Sequence, residues 1–344
     1  MTRVEADDLI AFTTAVFRAH RLPEADARAS AEALCHGDTT GTSSHGVANL
    51  TRIYLPLLRS GRANPDAKPE RLVDRGPTLL VDGDRALGLW LAGAAMDLAT
   101  IRAADYGVGV VSVRNATHFG CAGHHALRAV ERGMIGLVLA NCGHQRIAPA
   151  PVGGPELLGT NPLAVAAPAG RRPPFLLDMS TTTAPTGKVR AAARAGERIP
   201  SGWLAGPAGP ETDPAALDAG TARLTWLGAP GPAEHKGFGL GLAVEVLAAL
   251  LPGAGLGPLS TGTEDDDVGF FVMALAPDTL RDGFTEDSEA LFSAVAGAGA
   301  QYPGEPESLR TRQSHADGVW IADPVFHELR AVADECGIRP PTAL

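Results

Sequence analysis

The sequence predicts an α/β protein, and three observations carry the prediction. Residues 110–120, 157–163 and 176–188 are each a short apolar run that ends in polar residues, Gly or Pro, which is how a buried strand reads when its end carries a site. From residue 77 onward strand-like and helix-like runs alternate, as in a layer of strands covered by helices. The first ~60 residues, by contrast, carry only helical spacing.

Thr2-x-x-Glu5 reads as a capping box before a helix with Leu9, Phe12 and Val16 on one face. Pro23 suits the first turn of a second helix, which Gly37 ends, and a third is expected from His45 to Arg59, closed by Ser60-Gly61. Leu79–Val81 with Asp82-Gly83 reads as strand and turn. A helix over about 89–105, a strand Val108–Val113, a helix over about 121–132 and a strand Ile135–Ala140 follow, with Gly107 and Gly133 as helix stops. Strands near 163–167 and 175–179 precede a helix near 184–196. Residues 197–234, rich in Gly, Pro and Ala, read as a long ordered loop or lid. A helix at 236–251, a strand at 268–275 and helices at 284–298 and 323–336 complete the chain.

At 344 residues the chain exceeds what one core usually covers, so two domains are expected. A net charge of −10 argues against nucleic acid or an anionic membrane as main partner. Cys35, Cys121, Cys142 and Cys336 show no paired spacing and read as reduced thiols of a cytoplasmic protein. The acidic N-terminus does not read as a signal peptide, and the apolar run Leu240–Leu251 contains Glu245 and is too short to span a bilayer.

Two histidines stand out because imidazole exchanges protons near neutral pH. Ser44-His45 reads from the residues alone as a capping serine beside a solvent-exposed histidine. His118 lies past a strand end and before Gly120, where either a structural or a catalytic histidine fits. Asp178 ends an apolar strand and suits a cap, a histidine partner or a cofactor hydroxyl. Gly159-Thr160-Asn161-Pro162 offers donors in a turn, and Lys236 sits where its charge can meet a phosphate at a helix N-terminus. His118, Cys121, His124 and His125 are zinc-ligand types near one helical face, which opens the alternative of a metal-dependent hydrolase.

Taken in order, Ser44-His45-Gly46, Asn115 to Gly120, Gly159 to Pro162, Asp178 to Thr181, His235 to Leu240 and Pro303-Gly304-Glu305 resemble the motif set of the malate/L-lactate dehydrogenase family over about residues 5–335. That family does not use the Rossmann fold, and the chain has no G-x-G-x-x-G between a strand and a helix: the glycines at 237, 239 and 241 are wrongly spaced. The resemblance implies a mixed sheet with flanking helices. It also implies a helical domain from residues 1–75 with 310–344, and an NAD(P)-binding, catalytic α/β domain over 76–309. It implies an NAD(P)H-dependent oxidoreductase that passes hydride between nicotinamide and the C=O or C=N carbon of a small 2-keto/2-hydroxy acid or cyclic imino acid.

By the same resemblance His45 and His118 are the proton donor or acceptor, with Ser44 and Asp178 supporting them. The cofactor NAD(H) or NADP(H) would lie against Gly159, Asn161, Pro162, Asp178, Met179, Ser180, Thr181, His235, Lys236, Gly237, Gly304 and Glu305, with no metal. Asn49 stands where many relatives carry a carboxylate-binding arginine. The substrate partners are then Asn49, as a neutral amide, with Arg52, Asn141 and Thr160, Arg146 being placed to compensate, and simple keto acids are disfavoured. A homodimer is implied as well. A chain that binds cofactor but has lost turnover is the remaining alternative.

Overall fold

The computed structural model describes residues 1–151, 154–229, 231–260 and 266–344. β1 (Thr2–Val4) leads into α1 (Ala6–Ala19), whose Leu9, Phe12 and Val16 are buried. The expected capping box does not form. Pairing with Val319–Ile321 holds Thr2 extended, its hydroxyl goes to Asp323, and Glu5 makes no side-chain cap. Pro23 stands just before α2 (Glu24–Thr39) rather than in its first turn, and α2 runs through Gly37 instead of stopping there. A Cβ at 37 would fall 2.7 Å from the Gly46 nitrogen, so this glycine lets another segment approach.

The single helix expected over 45–59 is three pieces: a 3₁₀ turn Ser43–His45, a π-turn Leu50–Tyr54 and α3 (Leu55–Arg59). Gly46, in extended backbone, ends the first piece, and Pro56 accounts for the π-turn before α3, because its ring crowds the carbonyl four residues back and it has no N–H to give.

β2 (Glu70–Arg75), β3 (Thr78–Asp82), α4 (Gly88–Tyr106), β4 (Val108–Ala116), α5 (Ala122–Val130) and β5 (Ile135–Ala140) follow. After the short pair β6 (Ala148–Pro149) and β7 (Glu156–Leu158) come β8 (Leu163–Ala167), β9 (Phe175–Met179) and α6 (Thr186–Ala195). The described part of 197–234 is not a plain loop. β10 (Leu204–Gly206), β11 (Gly209–Glu211), α7 (Ala215–Asp218) and β12 (Arg223–Leu224) close a small core of Val189, Ile199, Leu204 and Leu224. α8 (Glu234–Glu245) continues into a π-turn Val246–Leu250. β13 (Val268–Leu275), α9 (Phe284–Gly297), α10 (Glu305–Asp317), β14 (Val319–Ile321) and α11 (Asp323–Cys336) complete the fold.

The main sheet has seven strands in the order β2-β3-β4-β13-β5-β8-β9, and only β3 and β4 run parallel. It is a mixed sheet, as expected, and not a doubly wound one. β13 shows how it is covered: Phe270, Val272 and Ala274 face the core under α4 and α5, while Phe271 joins Val244 and Ala248 on the opposite face. A second core joins α1, α2, α3 and α11 with Leu87 and Leu89. Among the described residues no helix is long and apolar enough to cross a membrane.

This strand order gathers the sequence motifs. β5 and β4 are both antiparallel to β13, β8 is antiparallel to β5, and β9 to β8. The ends of β4, β5 and β9 and the starts of β8 and β13 therefore share one sheet edge. Residues 116–120, 141–142, 160–162, 178–180 and 266–268 meet there although they span half the chain.

Candidate functional site

At that edge lies a cavity of about 680 Å³, walled on the other side by the Ser43–His45 turn and the start of α6. Ser44, His45, Arg52, His118, Asn141, Thr160, Pro162, Asp178, Met179 and Ser180 line it. The His45 and His118 rings stand nearly parallel, 6.1 Å apart, so the strand-end histidine and the helical-turn histidine share one wall.

The His45 turn is braced from three sides. Asp38, near the end of α2, accepts the Val47 N–H at 2.7 Å. Asn49 donates its amide to the Ser44 carbonyl at 2.9 Å. Gly187 brings α6 against Ser44, where a Cβ would meet the Ser44 oxygen at 3.1 Å. Asn49 is thus occupied inside the protein and does not line the cavity. Ser44 Oγ lies 3.1 Å from His45 Nδ1.

His118 is held by a residue that the motifs do not mark. The Tyr54 hydroxyl lies 2.7 Å from His118 Nδ1, and the Gly120 N–H donates to the same nitrogen at 3.3 Å. Burial pushes His118 down to about 3, with the His45 ring adding to it. Burial and then the nearby Lys188 charge lower His45 to about 4. Both rings are therefore neutral at pH 7 in the ligand-free protein.

Asp178 takes the cap position among its sequence readings. Its Oδ2 accepts the Gly123 N–H in the first turn of α5 at 2.7 Å, and no bond joins it to either histidine among the described residues. Enclosure pushes its carboxyl up to about 6, against the Gly123 bond. Asn141 and Asn161 also turn inward. Asn161 donates to Glu245 at 2.8 Å, and Asn141 donates to the Gly255 carbonyl at 2.7 Å and accepts the Gly269 N–H. Thr181 is fully buried with its hydroxyl on the Thr160 carbonyl.

Gly159, Arg146, His235, Lys236, Gly237, Gly304 and Glu305 do not line the cavity. His235 and Lys236 are exposed in the first turn of α8. Gly304 packs where a Cβ would fall 2.4 Å from the Pro174 carbonyl, and Glu305 pairs with Arg172.

The four candidate metal ligands do not converge. His118 is tied to Tyr54, Cys121 precedes α5, and fully buried His125 bonds the Phe119 carbonyl at 2.8 Å. No group of three His, Cys, Asp or Glu side chains suited to a metal exists among the described residues.

The cavity also holds residues the motifs left unassigned. Lys188 stands beside His45, and the Arg62 guanidinium meets Asp266 within the lining. Lys188 closes one of the sequence blocks noted first and was within reach of sequence reasoning. Tyr54 lies 64 residues from His118, and nothing in its neighbourhood signals the contact. Arg52 lines the cavity while keeping a 3.4 Å ion pair with Glu328.

The chain is similar to known proteins along nearly its whole length. Residues 4–330 match the malate/L-lactate dehydrogenase family. The chain is 38% identical to a malate dehydrogenase of Pyrococcus abyssi, over 98% of this chain and 96% of that one. It is 34% identical to an L-sulfolactate dehydrogenase of Methanocaldococcus jannaschii, over 94% of each. The structure of malate dehydrogenase from Pyrococcus horikoshii OT3 superposes with a TM-score of 0.86 at 30% identity, covering 98% of this chain and 96% of that one.

Proposed function

The chain belongs to the malate/L-lactate dehydrogenase family and is an oxidoreductase, and from that premise we propose that it interconverts a small 2-hydroxy acid and its 2-keto acid with NAD(H) or NADP(H). The observation that carries the proposal is the meeting of His45, His118 and the β9 tip in one cavity. Relatives named for malate and sulfolactate act on 2-hydroxy acids with a second anionic group, and Arg52 and Lys188 offer two cations in the lining of the same cavity.

The residues present suit a nicotinamide. β9 is an edge strand whose Leu176 N–H already reaches outward to the Pro303 carbonyl. Asp178, two residues on, turns its main-chain N–H and C=O to the same open side, as a carboxamide requires. When bound, the nicotinamide supplies or accepts the hydride. The protein's own part is to hold the acid's carboxylate with Arg52 and to bring histidine N–H groups to the reacting oxygen. The volume suits a nicotinamide head and a small acid together.

The same reading includes a homodimer. Leu242, Val246 and Leu250 recur every four residues along α8 and its π-turn and are 40%, 51% and 61% exposed, an apolar stripe that a second copy would cover.

The test is turnover. Purified protein is assayed for nicotinamide oxidation with oxaloacetate, sulfopyruvate, pyruvate and a cyclic 2-imino acid. Reduction of a two-anion keto acid is expected with one or both dinucleotides. Selective turnover of the imino acid would move the substrate to C=N, and no dinucleotide-dependent turnover of any of them would overturn the proposal.

A further inference from the structure

The oxygen of a reacting carbonyl must be polarised and must exchange one proton, and two histidines share the wall where this happens. Their hydrogen bonds differ in kind. His118 Nδ1 faces two groups, and one of them, the Gly120 main-chain N–H, can only donate. Nδ1 must therefore keep its lone pair, and the Tyr54 hydroxyl, 2.7 Å away, donates to it as well. A neutral imidazole with Nδ1 accepting carries its hydrogen on Nε2. Nε2 has no partner among the described residues, and the ring lines the cavity. His45 has no such constraint: its Nδ1 faces the Ser44 hydroxyl, which either donates or accepts, so both neutral tautomers and the charged ring are allowed.

We infer that Tyr54 is a positioning residue which, with the Gly120 N–H, fixes His118 as the Nε2–H tautomer, so that His118 polarises the substrate oxygen as a neutral donor and His45 is the ring that exchanges the proton. This rests on the oxidoreductase reading above. Nε2–H cannot take up a proton during oxidation, and a neutral imidazole does not release one near pH 7. Charging His118 would point a new Nδ1–H at the Gly120 N–H. A neutral imidazole can still act as an electrophile by hydrogen bonding alone.

In reduction, the carbonyl carbon gains the hydride pair and the C=O π pair moves onto oxygen. That oxygen takes a proton from a ring nitrogen of His45, which is neutral in the ligand-free protein, takes up that proton from solvent once the acid's anion sits beside Lys188, and is left neutral by the transfer. Oxidation runs the same step backwards.

The placement of Tyr54 is built into the fold. It closes the π-turn Leu50–Tyr54 just ahead of Pro56, is fully buried, and meets the Phe17 ring edge-on at 6.4 Å. A buried tyrosine hydroxyl requires a partner, and His118 is the one it has. The titratable groups against His118 are Tyr54 from the π-turn, His45 from the 3₁₀ turn and, through Tyr54, Cys121. Those against His45 are Lys188 from α6 and His118. No carboxylate bonds either ring among the described residues.

The test combines ring ¹⁵N NMR of the ligand-free protein with kinetics of variants. Wild-type His118 is expected to show the Nε2–H tautomer and no titration between about pH 5 and 8. Tyr54→Phe keeps the packing ring. It should fold, lower kcat about tenfold with less change in KM, and mix the His118 tautomers. His118→Asn, which keeps a neutral N–H, should retain at least about tenfold more activity than His118→Ala. His45→Gln should be as impaired as His45→Ala and, in the reduction direction, should lose the alkaline-side fall of the kcat/KM profile that deprotonation of His45 produces, which His118→Asn keeps.

An Nδ1–H or titrating His118 in the wild type would overturn the lock. Loss of the pH limb in His118→Asn, with its survival in His45→Gln, would overturn the division of roles. If no acid is turned over at all, the oxidoreductase reading and those roles fall together, while the NMR result still decides whether Tyr54 fixes the ring.

Discussion

At the scale of single residues, the site is arranged through groups that never need to touch a substrate. Asp38 and Asn49 hold the turn that carries His45, and Tyr54 and Gly120 hold His118. Replacing His45 by Ala should lower turnover by about 10²–10⁴-fold, because a positioned proton donor or acceptor contributes that much, and replacing His118 by Ala by about 10²–10³-fold, the cost of losing a hydrogen-bond donor to the reacting oxygen. Near-wild-type rates for both variants would contradict the assignment. Among the described residues Glu328 is the one ion-pair partner of Arg52, which leaves further guanidinium donors for a ligand, so Arg52→Ala should raise KM for the acid by about tenfold or more with a smaller effect on kcat. An unchanged KM would place the carboxylate elsewhere. Both histidines were legible in the sequence because each sits in a compact motif. Tyr54, Asp38 and the brace by Asn49 were not, since each acts through a partner that only folding brings near. Asn49 in particular reads as a missing arginine in the sequence and as a structural clamp in the protein.

At the scale of elements, what the sequence showed and what it hid follow from burial. β13 and β4 were readable because apolar residues mark them, and α11 was found over 323–336 because Phe326, Leu329, Val332 and Ala333 repeat along its buried face. β2 and α10 were missed, and neither buries a single residue, so neither leaves an apolar period to read. The small sheet within 197–234 was missed because its strands are two or three residues long, below the length at which alternation is visible. Glycines mark where elements touch. A Cβ at Gly136 in β5 would fall 2.3 Å from the Ala126 carbonyl in α5, the helix whose first turn is capped by Asp178. Gly136→Ala should therefore push α5 off the sheet at a cost of about 1–3 kcal/mol and lower Tm. It should also lower activity, because the α5 N-terminus forms part of the cavity wall. A variant with wild-type Tm and rate would show that helix and strand adjust independently of the site.

At the scale of the whole molecule, the cavity sets a pH dependence of stability whose sign can be worked out. Burial lowers His36, His45 and His125 to about 4 and His118 to about 3, and lowers His124 as well. These rings stay neutral in the folded chain while the unfolded chain charges them near 6.5. Their contribution is intact above about pH 6.5 and is lost as pH falls through the folded values. Burial also raises Asp38 to about 7 and Asp178 to about 6. Those two work in the opposite sense, holding protons that the unfolded chain gives up near 3.8, so their contribution is fullest at low pH and lost as pH rises to about 7. Between pH 6.5 and 4 the two sets compete; burial also raises Asp26, Glu245 and Asp267, but the large shifts belong to five rings against two carboxyls. Tm should therefore fall steadily as pH drops from about 6.5 to 4, measured at constant salt and protein concentration. Replacing His36, which has no ion-pair partner among the described residues and lies 5.0 Å from the His124 ring, by Gln should reduce that slope. A Tm that is flat or rises on acidification would mean that Asp38 and Asp178 dominate, and that the cavity is built around protonated carboxyls more than neutral rings.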